Sequence, residues 1–97
     1  MSEKERILQK LATLKPELFE RYHITSLALF GSTARSEDSQ KSDIDLLVEF
    51  SNTPDLLHFL ELEETLEKML GRSVDLVPRR KLRPELSVDI LNEAIAV

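Results

Sequence analysis

Apolar residues near the start of the chain recur every three or four positions, which is the spacing of one helical face. The pattern predicts a helix over residues 3–14, with Ser2 as its N-cap. We expect Pro16 to start a new turn or short helix, because proline is tolerated at a first helical position. The residues of the apolar face are Ile7, Leu8, Leu11 and Leu14.

Three short segments have the composition or the alternation of strands. Residues 25–30 are mainly apolar, residues 43–50 alternate between an apolar and an acidic face, and residues 74–77 form a third short run. The polar segment 31–42, which joins the first two, has no helical pattern. These two strands are therefore predicted to be antiparallel, since a parallel pair needs a longer crossover.

Two further helices complete the predicted order of elements. One covers residues 56–70 and ends at Gly71, and the last begins at Pro84 and frays over residues 94–97. The order predicts an α/β (α+β) fold, a small mixed sheet of three to four strands packed against about four helices. We expect a single domain over residues 1–97. The stripe of the third helical segment is Leu56, Phe59, Leu62, Leu66, Met69 and Leu70.

Composition and charge narrow the possible functions. The chain has no cysteine, which excludes disulfides and thiolate sites. Its formal net charge of -5 fits nucleic-acid binding poorly, since that binding depends on Lys and Arg at phosphates. The basic cluster of residues 79–83 is interpreted as a solvated loop, with contact to a phosphate or an acidic partner as the alternative.

The apolar runs are too short to span a bilayer. Residues 1–6 are mixed in charge and have no apolar signal region behind them. We therefore expect a cytoplasmic protein that does not interact with a membrane.

Three aspartates at the predicted strands are the candidate catalytic and metal-binding residues. Asp43 and Asp45 open one strand and project from one face, with Cα atoms about 6.5 Å apart. Two such carboxylates repel each other unless a cation lies between them, and Mg²⁺ takes oxygen ligands. Asp75 joins this cluster if its strand lies beside residues 43–50. A turn or capping role is the alternative, and it is the stronger interpretation for Asp75 taken alone.

Gly31 and Ser32 follow the first strand and are candidate phosphate-binding residues. Glycine allows the backbone to approach a phosphate closely, and the Ser32 hydroxyl adds a donor. A helical turn at Ser32 would add free N–H groups that favour an anion. Taken alone, Gly-Ser after a strand is also a routine turn.

Together these residues resemble the signature of minimal nucleotidyltransferases of the polymerase-beta-like superfamily. That signature is Gly-Ser, ten residues and then Asp-x-Asp, and it is matched here by Gly31-Ser32, residues 33–42 and residues 43–45. Asp75 resembles the third carboxylate of the family. The resemblance covers nearly the whole chain and implies the nucleotidyltransferase fold.

The resemblance also implies an activity. The reaction would transfer a nucleoside monophosphate, AMP from ATP, with release of pyrophosphate. Asp43, Asp45 and Asp75 would bind Mg²⁺, and either Asp45 or Asp75 would act as base toward the incoming hydroxyl. Gly31 and Ser32 would hold the triphosphate.

The loop after Ser32 contains one more candidate and one difference from the family. Arg35 matches the family pattern and is a candidate nucleotide-binding residue; it either contacts phosphate or braces the loop with Glu37 or Asp38. The family often has glycine after this arginine, whereas this chain has Ser36. The serine predicts a stiffer loop.

Close relatives in this family are antitoxins of two-gene modules whose partner is a helical HEPN-domain ribonuclease toxin. Some of them adenylylate a tyrosine of the toxin and so silence it. The resemblance therefore implies a protein adenylyltransferase that forms a hetero-oligomer with a HEPN toxin. The alternative is a non-catalytic nucleotide-binding module that neutralises its partner by forming a complex. Three carboxylates near one another favour the enzyme.

The remaining candidates have simpler interpretations. His23 and His58 have no partner at metal-ligand spacing and are interpreted as surface residues. The apolar residues at the end of the chain belong either to the core or to a partner interface; they are Ile90, Leu91, Ile95 and Val97.

Overall fold

A computed structural model describes residues 2–37 and 42–97 of the chain. The described residues form four α-helices and four strands, with a 3-10 turn at Arg79–Lys81. In chain order the elements are α1 (Glu3–Tyr22), β1 (Ile24–Phe30), α2 (Gly31–Ala34), β2 (Ile44–Phe50), α3 (Leu56–Leu70), β3 (Val74–Pro78), α4 (Pro84–Glu93) and β4 (Ile95–Ala96).

The four strands form one mixed sheet in the order β3-β2-β1-β4. β1 pairs antiparallel with β2 and with β4, whereas β2 and β3 run parallel. The parallel pair is possible because α3 supplies the crossover between its two strands. The predicted fold class and the antiparallel central pair are both confirmed.

The first helix is longer than predicted, and the expected break at Pro16 is wrong. α1 continues through Pro16 as far as Tyr22, although proline in a helix interior removes a hydrogen bond. Leu18 and Tyr22 are both buried, so the second half of the helix continues the apolar face of the first half. Packing of this face onto the sheet outweighs the local cost of proline. The predicted cap is confirmed, since Ser2 Oγ accepts the Glu5 N–H at 3.1 Å.

The last residues are also better ordered than predicted. Residues 94–97 do not fray from the helix, because α4 ends at Glu93 and β4 follows. The Val97 N–H donates to the Leu27 carbonyl at 2.9 Å. The end of the chain therefore pairs with backbone hydrogen-bonding groups on the outer edge of β1. Ile95 and Val97 pack against the core of this chain, whereas Leu91 is 40% exposed.

The core lies on both faces of the sheet, because successive strand residues point to opposite sides. Leu27 and Leu29 of β1 belong to the larger cluster, which α1 and α3 cover. Ala28, Phe30 and Leu47 belong to a smaller cluster on the other face, against which Ile90 of α4 packs. Alternating positions along a strand therefore contribute side chains to two different core clusters, one on each face of the sheet.

α3 has the predicted bounds, and Gly71 ends it in a left-handed conformation with φ of 70°. Leu62, Leu66 and Leu70 are buried as the stripe requires, but Leu56 is 71% exposed and does not contribute to the core. Within residues 2–37 and 42–97, no helix is both long enough and apolar enough to cross a membrane.

Candidate functional site

The register of the parallel strands places two of the predicted aspartates side by side. Asp45 of β2 pairs directly with Asp75 of β3. Neighbouring strands lie about 4.8 Å apart, so two paired side chains on one face are close neighbours. Asp43 lies immediately before β2 and is exposed. The sequence placed Asp75 in this cluster only on the condition that the strands were adjacent, and they are.

The Asp45 carboxyl is partly buried, and its environment disfavours its charge. Burial raises the pKa of Asp45 above the usual 3.8, and the negative charges of Asp75 and then Asp43 raise it further. Arg35 acts in the opposite direction. Like charges close together repel each other, so a cation beside Asp45 would reduce this repulsion.

Gly31 lies directly against the Asp45 carboxylate. A Cβ atom at position 31 would stand 2.1 Å from Asp45 Oδ2, which is far closer than any real contact. Gly31 also has a φ of 74°, in the left-handed region that side chains disfavour. Glycine at this position therefore brings the backbone of the loop up to the acidic cluster.

The turn that follows, α2, orders the segment between Gly31 and Glu37. The Arg35 N–H donates to the Gly31 carbonyl at 3.2 Å, and the Glu37 N–H donates to the Ser32 carbonyl at 2.8 Å. Ser36 adopts a φ of 59°, which explains physically why glycine suits this position in the family. Ser32 is partly exposed next to Gly31.

Arg35 is held by two carboxylates. Its Nε donates to Glu37 Oε2 at 3.1 Å, and its Nη1 donates to both oxygens of Glu93 at 3.0 Å. These hydrogen bonds, first with Glu37 and then with Glu93, raise the pKa of Arg35 above its usual value. The predicted bracing contact with Glu37 is thus present, and Asp38 lies outside the described residues.

Glu93 is a site residue that the sequence interpretation missed. Its Oε1 accepts the Gly31 N–H at 2.9 Å as well as the Arg35 contact. Glu93 is the last residue of α4, where the helix dipole disfavours an acidic side chain. Because an acidic residue is unfavourable at this end of a helix, Glu93 was the one local signal in the sequence for a hydrogen-bond or ion-pair partner in another part of the chain.

The acidic cluster is an incomplete metal site on its own. Among residues 2–37 and 42–97, no three acidic or histidine side chains are grouped closely enough to hold a metal ion. The donor chemistry still suits Mg²⁺, which usually binds one or two carboxylates together with the phosphates of a substrate. Asp45 and Asp75 are the pair that the register provides.

The two histidines lie on the surface, as predicted. His58 Nδ1 lies 2.8 Å from Asp55 Oδ1, and Asp55 is the N-cap of α3. His23 ends α1 in a left-handed conformation with φ of 57°. Both residues serve helix ends rather than the acidic cluster.

Comparison with known proteins gives consistent matches over nearly the whole chain. The model of the nucleotidyltransferase domain family matches residues 5–97. The protein adenylyltransferase MntA of Thermococcus cleftensis is 42% identical over 93 residues, which cover 96% of this chain and 94% of the relative.

Two solved structures share the fold. A proposed minimal nucleotidyltransferase aligns with a TM-score of 0.81 at 37% identity, covering 100% of this chain and 97% of that chain. A crystal structure of a toxin–antitoxin pair with AMP-PNP aligns with a TM-score of 0.71 at 26% identity, covering 87% of this chain and 69% of that chain.

Proposed function

The chain belongs to the nucleotidyltransferase domain family, and we propose that it transfers AMP from ATP to a hydroxyl group of a partner protein. The observation that carries the proposal is the pairing of Asp45 with Asp75 beside Gly31, which puts an acidic pair next to a close-approach backbone. The relative named a protein adenylyltransferase covers nearly the same residues. Residues 1–97 would act as one minimal unit, in the cytoplasm.

Asp45 and Asp75, with Asp43 beside them, are the residues that would hold Mg²⁺. When bound, Mg²⁺ would supply positive charge that offsets the negative charge developing on the phosphate oxygens during displacement. The paired carboxylates would give it two oxygen ligands, and the phosphates of the substrate would complete the set. This division of the ligands agrees with the absence of a complete three-residue site among the described residues.

The loop residues would bind the triphosphate. The Gly31 N–H and the Ser32 hydroxyl are donors, and Arg35 adds a permanent positive charge that suits phosphate oxygens. All three lie on one short segment whose start is fixed against Asp45. The α-phosphate would thereby lie next to the acidic pair.

The reaction would be an in-line displacement at the α-phosphorus. The acceptor hydroxyl oxygen forms a bond to that phosphorus, and the bond to the oxygen that bridges to the β-phosphate breaks. Pyrophosphate leaves, and the hydroxyl proton passes to Asp45 or Asp75. The work of the protein is mainly positioning and electrostatic stabilisation.

The acceptor would be a tyrosine of a HEPN-type toxin, and this chain would act as its antitoxin. The support is the resemblance described from the sequence, together with the similar fold of one chain in the crystal structure of a toxin–antitoxin pair with AMP-PNP. The formal net charge of -5 also disfavours RNA as the acceptor.

A transfer assay tests the proposal. The protein is incubated with α-labelled ATP, Mg²⁺ and the product of the adjacent gene, beside the Asp43→Asn/Asp45→Asn variant. Asp89→Asn, which alters an exposed aspartate of α4, is the matched control. We expect label on the partner with the wild type and the control, and none with the double variant.

The alternative is a non-catalytic module that neutralises its partner by binding alone. A stable complex that forms without label transfer, in the wild type as in the double variant, would support this alternative and refute catalysis.

A further inference from the structure

The Glu93 carboxylate binds the same two groups that the proposed function assigns to the triphosphate. Its Oε1 accepts the Gly31 N–H at 2.9 Å, and both of its oxygens accept from Arg35 Nη1 at 3.0 Å. A carboxylate and a phosphate are both anionic acceptors with similar demands on a donor. The Gly31 N–H and one edge of the Arg35 guanidinium cannot donate fully to the Glu93 carboxylate and to a phosphate at the same time.

We propose that Glu93 sets the nucleotide affinity of the site by competing with the triphosphate for the Gly31 N–H and the Arg35 guanidinium. This inference rests on the proposed function, because it takes ATP as the ligand of the loop. Glu93 then acts as an internal anion that the nucleotide must replace, and each contact it makes lowers the affinity for ATP.

The charge of Glu93 supports the same conclusion. Its carboxylate is close enough to the acidic cluster to raise the pKa of Asp45. A triphosphate that approaches the Asp45–Asp75 pair would meet this additional negative charge. Neutralising Glu93 therefore removes a repulsion as well as a competitor.

Glu93 has the freedom to leave its partners. It is the last residue of α4, and its side chain is 29% exposed. The Glu93 side chain has three rotatable bonds, so it can turn toward solvent without a change in the backbone of α4. Arg35 would then exchange one carboxylate for phosphate while it retains Glu37.

Glu93→Gln is the informative variant, because glutamine keeps the size and still accepts from the Gly31 N–H. We expect it to bind AMP-PNP with Mg²⁺ about threefold to tenfold more tightly than the wild type in calorimetric titration. Inorganic tripolyphosphate should gain by a similar factor, whereas adenosine should not. A general structural effect on the loop would not separate these ligands.

Glu37→Gln is the matched control. Glu37 also binds Arg35, at 3.1 Å, and the substitution removes the same charge, but the described contacts of Glu37 do not include the Gly31 N–H. We expect a gain in affinity much smaller than that of Glu93→Gln. Far-ultraviolet circular dichroism shows whether each variant is folded. If Glu93→Gln is not folded, Glu93→Asp takes its place, and we expect it to give a smaller gain in affinity in the same direction.

The outcomes separate this inference from the proposed function. If the wild type binds AMP-PNP and Glu93→Gln binds it equally or less tightly, Glu93 positions the loop and the inference is overturned. An equal gain in Glu37→Gln would also overturn it, since loss of charge alone would then explain the effect. If no folded variant binds AMP-PNP, the proposed function itself fails, and this inference fails with it.

Discussion

Gly31 lies where the backbone is expected to approach a ligand and also where it is close to the Asp45 carboxylate. Only the first of these features could be inferred from the sequence. Its place after a strand and before Ser32 indicated a backbone that approaches a ligand closely. The structure adds that a Cβ atom at this position would stand against Asp45 Oδ2 of the next strand. That contact depends on strand register, which the local sequence around Gly31 does not determine.

Gly31→Ala should therefore do more damage than an ordinary substitution of a left-handed glycine. It meets both an unfavourable φ of 74° and the Asp45 carboxylate. We expect a loss of about 2 to 4 kcal/mol in the free energy of unfolding, with loss of nucleotide binding. Urea denaturation and AMP-PNP titration measure the two effects.

Gly71→Ala is the matched control, because Gly71 has a φ of 70° but, among the described residues other than its chain neighbours, no atom lies within 4 Å of the place where a Cβ would stand. It should lose about 1 to 2 kcal/mol from backbone strain and keep its nucleotide affinity. Equal losses of stability in the two variants would contradict the close contact with Asp45.

Asp45 also has an effect on stability that depends on pH. Its pKa is raised in the folded state, so its protonated form favours folding below the ordinary pKa of 3.8, and this contribution is lost as the pH rises through the raised value. At neutral pH without Mg²⁺, Asp45→Asn should raise the free energy of unfolding by up to about 1 kcal/mol.

Denaturation of the wild type and Asp45→Asn across acidic and neutral pH checks this sign. The difference between them should shrink as the pH falls toward the ordinary carboxyl value. A variant less stable than the wild type at neutral pH would show that the charge of Asp45 is stabilised in the fold rather than disfavoured.

At the scale of elements, periodicity predicted most of the fold, and its failures have physical causes. β1, β2, β3 and α3 lie within about one residue of their predicted bounds, because each has a run of suitable apolar positions. β4 has two residues and no pattern of its own, and it exists because the edge of β1 offers hydrogen-bonding groups. α1 continues past Pro16 because Leu18 and Tyr22 are buried in the core, and a local rule for proline does not include that packing.

Pro16 gives a prediction at this scale. It lies within α1, where it removes one backbone hydrogen bond of the helix. Pro16→Ala should stabilise the protein by about 1 to 2 kcal/mol, since alanine restores that bond and the proline's restriction of the unfolded chain offsets only part of the gain. Glu17→Ala, at the neighbouring exposed position, is the control in urea denaturation. A destabilised Pro16→Ala would mean that the proline shapes the helix to fit the sheet.

At the scale of the whole molecule, the candidate site joins four separate segments of the chain. Gly31 and Arg35 come from the loop after β1, Asp45 and Asp75 come from two parallel strands, and Glu93 comes from the end of α4. The Gly-Ser and Asp-x-Asp spacing predicted Gly31 and Asp45 through a family signature, whereas Asp75 could be placed with them only if its strand lay beside β2. Glu93 could not be predicted in this way, because its role depends on where α4 crosses the sheet.

The Asp45–Asp75 pair and the loop at Gly31 are proposed to form one site for Mg²⁺ and nucleotide. The most direct test is calorimetric titration of AMP-PNP into the wild type, Asp75→Asn and Asp89→Asn, with and without Mg²⁺. We predict binding that strengthens with Mg²⁺ in the wild type and in Asp89→Asn, and loss of that Mg²⁺ dependence in Asp75→Asn. Binding that is equally strong with and without Mg²⁺ in all three folded proteins would contradict the claim.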